Sequence, residues 1–258
     1  MIQQHSIIDI VKNKKSLLIP YITAGFPTKK LFLPILQTLS QSSADYIEVG
    51  VPHSDPLADG PIIQQSSKIA LENGITLDWI VRTCQGMPHQ KIKPLILFSY
   101  LNPILQYGFE QLLRDLPKPL FYGLIIPDLP LEEAQKYLPL LKKYKLNLIL
   151  LAAPTTNKKK LRKIAKLSGG FIYLVAVTGT TGVRRTLPLD LKQKIKELKS
   201  ISKKPIVVGF GISNGKQARN IISFGANGVV VGSALIKVLK DFRGSLLTLK
   251  KFINSFKN

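Results

Sequence analysis

Glu48 is the residue that most needs a chemical explanation. It sits in an otherwise apolar run, Tyr46-Ile-Glu-Val49. A carboxylate inside a core is costly unless it is paired or put to use, and no basic residue in a neighbouring apolar run answers it. The functional reading is a general acid/base tuned by burial; a Glu paired with a buried cation is the alternative. Two more acids, Asp55 and Asp59, follow among Pro52, Pro56, Gly60 and Pro61. Either can be a turn former or helix cap. Asp59 can equally accept a hydrogen bond from a substrate donor as charge develops there. Two carboxylates on one loop end support proton transfer without a metal. His53 is the only nitrogen ligand nearby, so no metal is expected.

Further along, Gly209-Phe-Gly-Ile-Ser213 and Gly232-Ser233 each end an apolar run. Glycines admit close backbone approach, and the N–H groups of a starting helix favour an anion. Thr178-Gly-Thr-Thr-Gly182, with Arg184 and Arg185 beyond it, is placed to close over the same anion. The chemistry expected is that of a carboxylate acid/base acting on a small phosphorylated substrate.

Such residues must be carried at the ends of strands. Eight strand-like runs occur, at Leu17–Thr23, Tyr46–Val49, Leu95–Tyr100, Tyr122–Ile126, Leu148–Ala152, Phe171–Val175, Ile206–Val208 and Gly228–Val231. They are continuous rather than alternating, as parallel strands covered on both faces are. Amphipathic stretches lie between them at Leu31–Ser40, Ala134–Lys143, Leu161–Ser168, Leu191–Lys199 and Gln217–Phe224, and Leu246–Phe256 closes the chain. The expected fold is α/β, a (β/α)₈ TIM barrel, as one domain over residues 1–258. An extra N-terminal helix and an extra helical segment after the second strand are expected with it. Gly179–Pro188 reads as a mobile loop.

The 258 residues include 37 Lys+Arg against 15 Asp+Glu, a formal charge of +22. Such a balance raises nucleic acid or an anionic membrane as partners. The lysines, however, fall mostly on the polar sides of the helical stretches, as in Lys158–Lys160, Arg162, Lys163 and Lys166, with no aromatics interleaved. Neither nucleic acid nor membrane is expected as a partner. Lys far exceeds Arg, as an AT-rich coding sequence would produce. The lone Cys84 excludes an internal disulfide and any multi-cysteine metal site. No stretch approaches the ~20 apolar residues of a membrane helix, and residues 1–15 lack the pattern of a signal or transit peptide. At this point another phosphate-binding barrel lyase or isomerase remains an alternative.

The phrases Glu48-Val-Gly-Val-Pro-His-Ser-Asp-Pro-Leu-Ala-Asp-Gly-Pro61, Gly123-Leu-Ile-Ile-Pro-Asp-Leu-Pro130 and Val177-Thr-Gly-Thr-Thr-Gly182 closely resemble the tryptophan synthase alpha chain family. Pro20-Tyr-Ile-Thr-Ala-Gly25 and Gly209-Phe-Gly-Ile-Ser213 fit too, so the resemblance is collinear over nearly the whole chain. Phe171-Ile-Tyr-Leu-Val175 and Pro94–Pro103 look most like cyanobacterial and plastid members. The resemblance implies a carbon–carbon/carbon–oxygen lyase that cleaves indole-3-glycerol phosphate to indole and glyceraldehyde 3-phosphate. It makes Glu48 the proton-transfer residue and Asp59 the acceptor of the indole N–H. It places Tyr173 near Glu48, and Tyr21, Phe98, Ile125 and Phe210 around the indole. Gly182, Gly211, Gly232 and Ser233 match the phosphate site, and Thr181 matches a loop threonine that closes over Asp59.

The resemblance further implies no cofactor in this chain and a partner beta chain holding pyridoxal phosphate, in an alpha2-beta2 tetramer. Loop 52–61, Asp128 and Asn102–Gly108 are the implied contact surface. The implied location is a plastid (the chloroplast stroma), plastid-encoded, with the cytoplasm of an AT-rich bacterium as the alternative. Three features depart from the family pattern. His53 replaces a usual Phe or Tyr and adds a residue type that ordinarily titrates near ~6.5. Asn214-Gly-Lys216 replaces a Pro-Glu helix start, with weaker capping expected. The basic charge is unusual.

Overall fold

Eight short strands pair in sequence order, each parallel to the next, and the eighth closes on the first. The computed structural model describes residues 16–175, 189–209, 211–241 and 245–257. The strands are β1 (Leu17–Thr23), β2 (Ile47–Gly50), β3 (Leu95–Phe98), β4 (Phe121–Ile125), β5 (Asn147–Ala152), β6 (Ile172–Val175), β7 (Ile206–Gly209) and β8 (Gly228–Val231). Each lies where the sequence places one. Their residues are buried almost without exception, because side chains pointing inward fill the barrel and those pointing outward meet helices.

The surrounding helices are α1 (Phe32–Ser40), α2 (Pro61–Glu72), α3 (Leu77–Gln85), α4 (Leu101–Tyr107), α5 (Phe109–Asp115), α6 (Leu131–Lys143), α7 (Lys158–Leu167), α8 (Leu189–Ile201), α9 (Gly215–Ser223), α10 (Ser233–Lys240) and α11 (Leu246–Asn254). Each amphipathic stretch read from the sequence is a helix. The segment after β2 carries two helices, α2 and α3, the one that each β/α unit has and the extra one expected. The pair α4 and α5 was not foreseen at all. Gly108, with φ 93°, separates them and lets the chain turn between two seven-residue helices too short to show a clear period. The expected N-terminal helix falls outside the described residues, as does the whole Gly179–Pro188 loop.

Two connections hold the elements that frame the strand ends. Thr23 Oγ1 at the end of β1 lies 2.6 Å from Ser66 Oγ on α2. At the opposite end of the barrel, the buried Asp45 carboxylate accepts from Leu18 N at 2.9 Å and from Lys257 Nζ at 2.7 Å. This ties the chain end to the entry of β2, beside α11 packed on α1. The expectation of weak capping at α9 is corrected. Asn214 accepts from Gln217 N at 3.0 Å, while Gln217 Oε1 accepts from Ser213 N at 2.8 Å. Asn is among the best N-cap residues, and the Gln side chain three residues on returns a second bond.

Candidate active site

The register of the barrel brings the carboxylate of Glu48 into its interior. Glu48 pairs with Tyr21 on β1 and with Ile96 on β3, so all three share one level of the barrel. It is 1% exposed, and its Oε2 has no hydrogen-bond partner among the described residues. Among the described residues no cation is seen to pair with it. Burial, and secondarily the charge of Asp59, push its pKa up to about 8.

Asp59 arrives from the loop after β2. That loop is held by its own backbone, with Leu57 N bonded to Asp55 O and Asp59 N to Pro56 O. Gln64 Nε2 on α2 donates to Asp59 O at 2.9 Å. Gly60, not Asp59, is the N-cap of α2, and no side chain caps it; Asp59 is no helix cap. Its Oδ2 instead accepts from the Tyr100 hydroxyl at 3.0 Å, and that hydroxyl accepts from Ala58 N at 2.9 Å. Burial raises the Asp59 pKa to about 6, against the lowering effect of the Tyr100 bond. Around pH 7 the two acids thus differ in charge, Asp59 ionised and Glu48 protonated, which is how one site holds both a base and an acid.

Glu48 and Asp59 line one pocket of about 380 Å³ with Tyr21, Ile63, Phe98, Tyr173, Gly211, Val230, Gly232 and Ser233. On the β1–β3 side the wall is aromatic, with Tyr21 and Phe98 edge to face at 5.8 Å. On the β7–β8 side it consists of Gly211, Gly232 and Ser233, the last at the first turn of α10 where backbone N–H groups favour an anion. Two glycines make room for the tyrosines. A Cβ on Gly50 would overlap the Tyr21 hydroxyl, and one on Gly209 would overlap that of Tyr173.

Of the residues singled out in the sequence, Tyr21, Glu48, Asp59, Phe98, Tyr173, Gly211, Gly232 and Ser233 come together here. Ile125, at the end of β4 and paired with Phe98, is fully buried and does not line the pocket. Thr181, Gly182 and Phe210 lie outside the described residues, as do Arg184 and Arg185. Tyr100, Ile63 and Val230 were missed. Tyr100 stands two residues beyond the end of β3, and no local pattern in the sequence links it to the acid of an earlier loop. Among the described residues no group of three or more His, Cys, Asp and Glu is placed to hold a metal.

A closed parallel barrel with two buried carboxylates and a glycine-lined wall in one pocket at its strand ends is the architecture of a barrel enzyme. Comparison with known proteins narrows this. The tryptophan synthase alpha chain profile matches residues 8–256. The chain is 44% identical over 242 residues to the tryptophan synthase alpha chain of Picosynechococcus sp., covering 93% of this chain and 92% of that one. It is 42% identical over 240 residues to that of Thermosynechococcus vestitus, covering 93% and 90%. Among solved structures it resembles Mycobacterium tuberculosis tryptophan synthase at TM-score 0.89 and 30% identity, covering 98% of this chain and 96% of that one. It also resembles a chain of the Pyrococcus furiosus tryptophan synthase complex at TM-score 0.83 and 34% identity, covering 93% and 97%. The chain belongs to the tryptophan synthase alpha chain family, a lyase of tryptophan biosynthesis.

Proposed function

We propose that this pocket carries out the retro-aldol cleavage of indole-3-glycerol phosphate to indole and glyceraldehyde 3-phosphate. Protonated Glu48 delivers a proton to indole C3, which turns the ring into an electron sink. The carboxylate so formed takes the proton of the glycerol hydroxyl next to the ring. The bond between C3 and that carbon then breaks, its electron pair returns to the ring, and the hydroxyl carbon becomes the aldehyde. Glu48 ends the cycle protonated. As the indole nitrogen becomes positive, ionised Asp59 accepts its N–H bond and stabilises that charge.

Tyr21 and Phe98 offer the flat apolar wall an indole needs. Gly211, Gly232 and Ser233 offer N–H and hydroxyl donors to the phosphate, with Gly182 expected to add to them and Thr181 to close over Asp59. Tyr173 stands beside Glu48 in this reading and Phe210 is expected to complete the indole surroundings, while Ile125 lies behind the wall, paired with Phe98. The observation that carries it is Glu48 itself, a buried acid that the described residues leave unpaired beside an ionised one. Replacing Glu48 with Gln is expected to lower indole formation by roughly 10²–10⁴-fold with the fold intact by circular dichroism. Near-full activity would overturn the assignment.

The same reading supplies the partner. A beta chain holding pyridoxal phosphate, in an alpha2-beta2 assembly, would meet loop 52–61, Asp128 and the Asn102–Gly108 segment, while this chain holds no cofactor. The exposed Leu57 and Leu105 on those segments support this surface. No described helix is long and apolar enough to cross a membrane. The cyanobacterial relatives and the excess of Lys over Arg support a plastid-encoded protein of the chloroplast stroma. Locating the coding sequence on plastid DNA tests that.

A further inference from the structure

His53 is half-buried on the loop that carries Asp59, and the proposed reaction leaves it without a task. Its ring stacks on Tyr100, with centroids 4.8 Å apart and planes 26° from parallel. Tyr100 is also held edge-on by Phe98 at 6.5 Å. Its hydroxyl joins Ala58 N to Asp59 Oδ2. One tyrosine thus touches a titratable ring on its face and a pocket carboxylate at its tip.

We infer that His53 is a positioning residue whose charge state is relayed to the Asp59 carboxylate through the stacked Tyr100 ring and its hydroxyl. Histidine is the side chain that ordinarily changes charge between pH 5 and 8. A cation against the face of a phenol is attracted by the ring, and it polarises the O–H into a stronger donor. The stronger bond favours ionised over protonated Asp59. The charged groups named around the stack are acids. Asp55 and Asp59 lie on the loop of His53. Asp128, on the loop after β4, accepts from Leu101 N at 2.9 Å and acts electrostatically on Tyr100. Glu48 on β2 reaches the stack only through its coupling to Asp59. A positive ring at position 53 would therefore resist protonation of Asp59, and the site would stay competent further into acid than the burial of Asp59 alone would allow.

This rests on the reading of Asp59 as the acceptor of the indole N–H, and the test separates the two. The full-length chain is assayed for indole release from indole-3-glycerol phosphate between pH 5 and 9, and the Asp59 carboxyl is titrated by ¹³C NMR without substrate. His53→Phe keeps a flat ring and removes the proton. It is expected to move the acidic limb of kcat/KM, and the Asp59 titration with it, to higher pH by about half a unit or more. In a Tyr100→Phe background the same substitution is expected to produce no further shift. Coincident titrations of the wild type and His53→Phe would overturn the inference. So would an undiminished shift in the Tyr100→Phe background, because the charge would then act without the tyrosine. His53→Ala, which loses the ring as well, reports on packing through the amplitude of activity rather than the position of the limb. Full activity in Asp59→Asn would sink the reading of Asp59 as a catalytic group, and the NMR titration would still decide whether His53 controls it.

Discussion

Two regions of this molecule place charge where local physics disfavours it, and they do so to different ends. At the strand ends, Glu48 and Asp59 are carboxylates at 1% and 5% exposure. On the outside, α7 begins with Lys158, Lys159 and Lys160, cations at a helix N-terminus with no acid in that turn. Asn157 caps this helix through Lys160 N at 2.9 Å, and Leu161, Ile164 and Ala165 anchor its inner face. The unfavourable lysines are exposed, so water screens them and their cost is a few tenths of a kcal/mol to about 1 kcal/mol. The carboxylates have no such screening, and a buried charge costs several kcal/mol. The teaching is that the size of the violation, not its visibility in the composition, marks the site. A charge of +22 dominates the sequence, yet one glutamate carries more information about function.

That contrast can be tested at both ends. After the loss predicted above for Glu48→Gln, the largest effect is expected from Asp59→Asn, which keeps the shape but cannot stabilise a positive indole nitrogen by charge. Indole formation should fall by roughly 10²–10³-fold. In the unmodified chain, activity should follow a bell with limbs near about 6 and about 8, one for ionising Asp59 and one for deprotonating Glu48. A rate that is flat between pH 5 and 9 would show that neither acid is used in this way.

A smaller effect concerns stability. The folded-state pKa of Glu48 lies above its ordinary value of 4.5, so folding disfavours the ionised form. The penalty is absent below the unfolded pKa, grows from there, and is complete above about 8. Glu48→Gln should therefore gain stability relative to the wild type as pH rises from 5 to 9, by about 1–3 kcal/mol in urea unfolding. A difference that does not vary with pH would mean that Glu48 carries no burial penalty.

The smallest effect is expected on the outer face. Lys159→Glu combined with Arg162→Glu should change kcat/KM by less than about 2-fold at physiological salt, where exposed charges more than ~8 Å away are screened. At low salt the pair should slow substrate arrival measurably if the positive field steers the phosphorylated substrate. A tenfold loss at physiological salt would erase the distinction between the two regions.

Much of the barrel is legible in the order of residues, for identifiable reasons. Continuous apolar runs such as Leu95–Phe98 and Gly228–Val231 can satisfy their side chains only when covered on both faces. Eight of them separated by amphipathic stretches leave few alternatives to a barrel. The edges of elements are less legible. The third apolar run extends to Tyr100 because Tyr is a good strand former, whereas β3 ends at Phe98 and Tyr100 precedes α4. The same tyrosine is a site residue that the motifs do not single out. Its role depends on a loop more than forty residues earlier in the chain, and no local pattern records that contact.

By itself the sequence determined the strands, the outward-facing lysines, the family and the two acids, because periodicity, burial cost and motif spacing are local properties of the chain. Only the tertiary structure decided that Glu48 Oε2 has no partner among the described residues, while Asp59 is held by Tyr100 and Tyr100 is covered by His53. It likewise decided that Gly50 and Gly209 leave space for two tyrosines. Barrel closure brings these groups together, and the low dielectric it creates pushes the two carboxylates to different protonation states. Neither effect exists until the chain has folded.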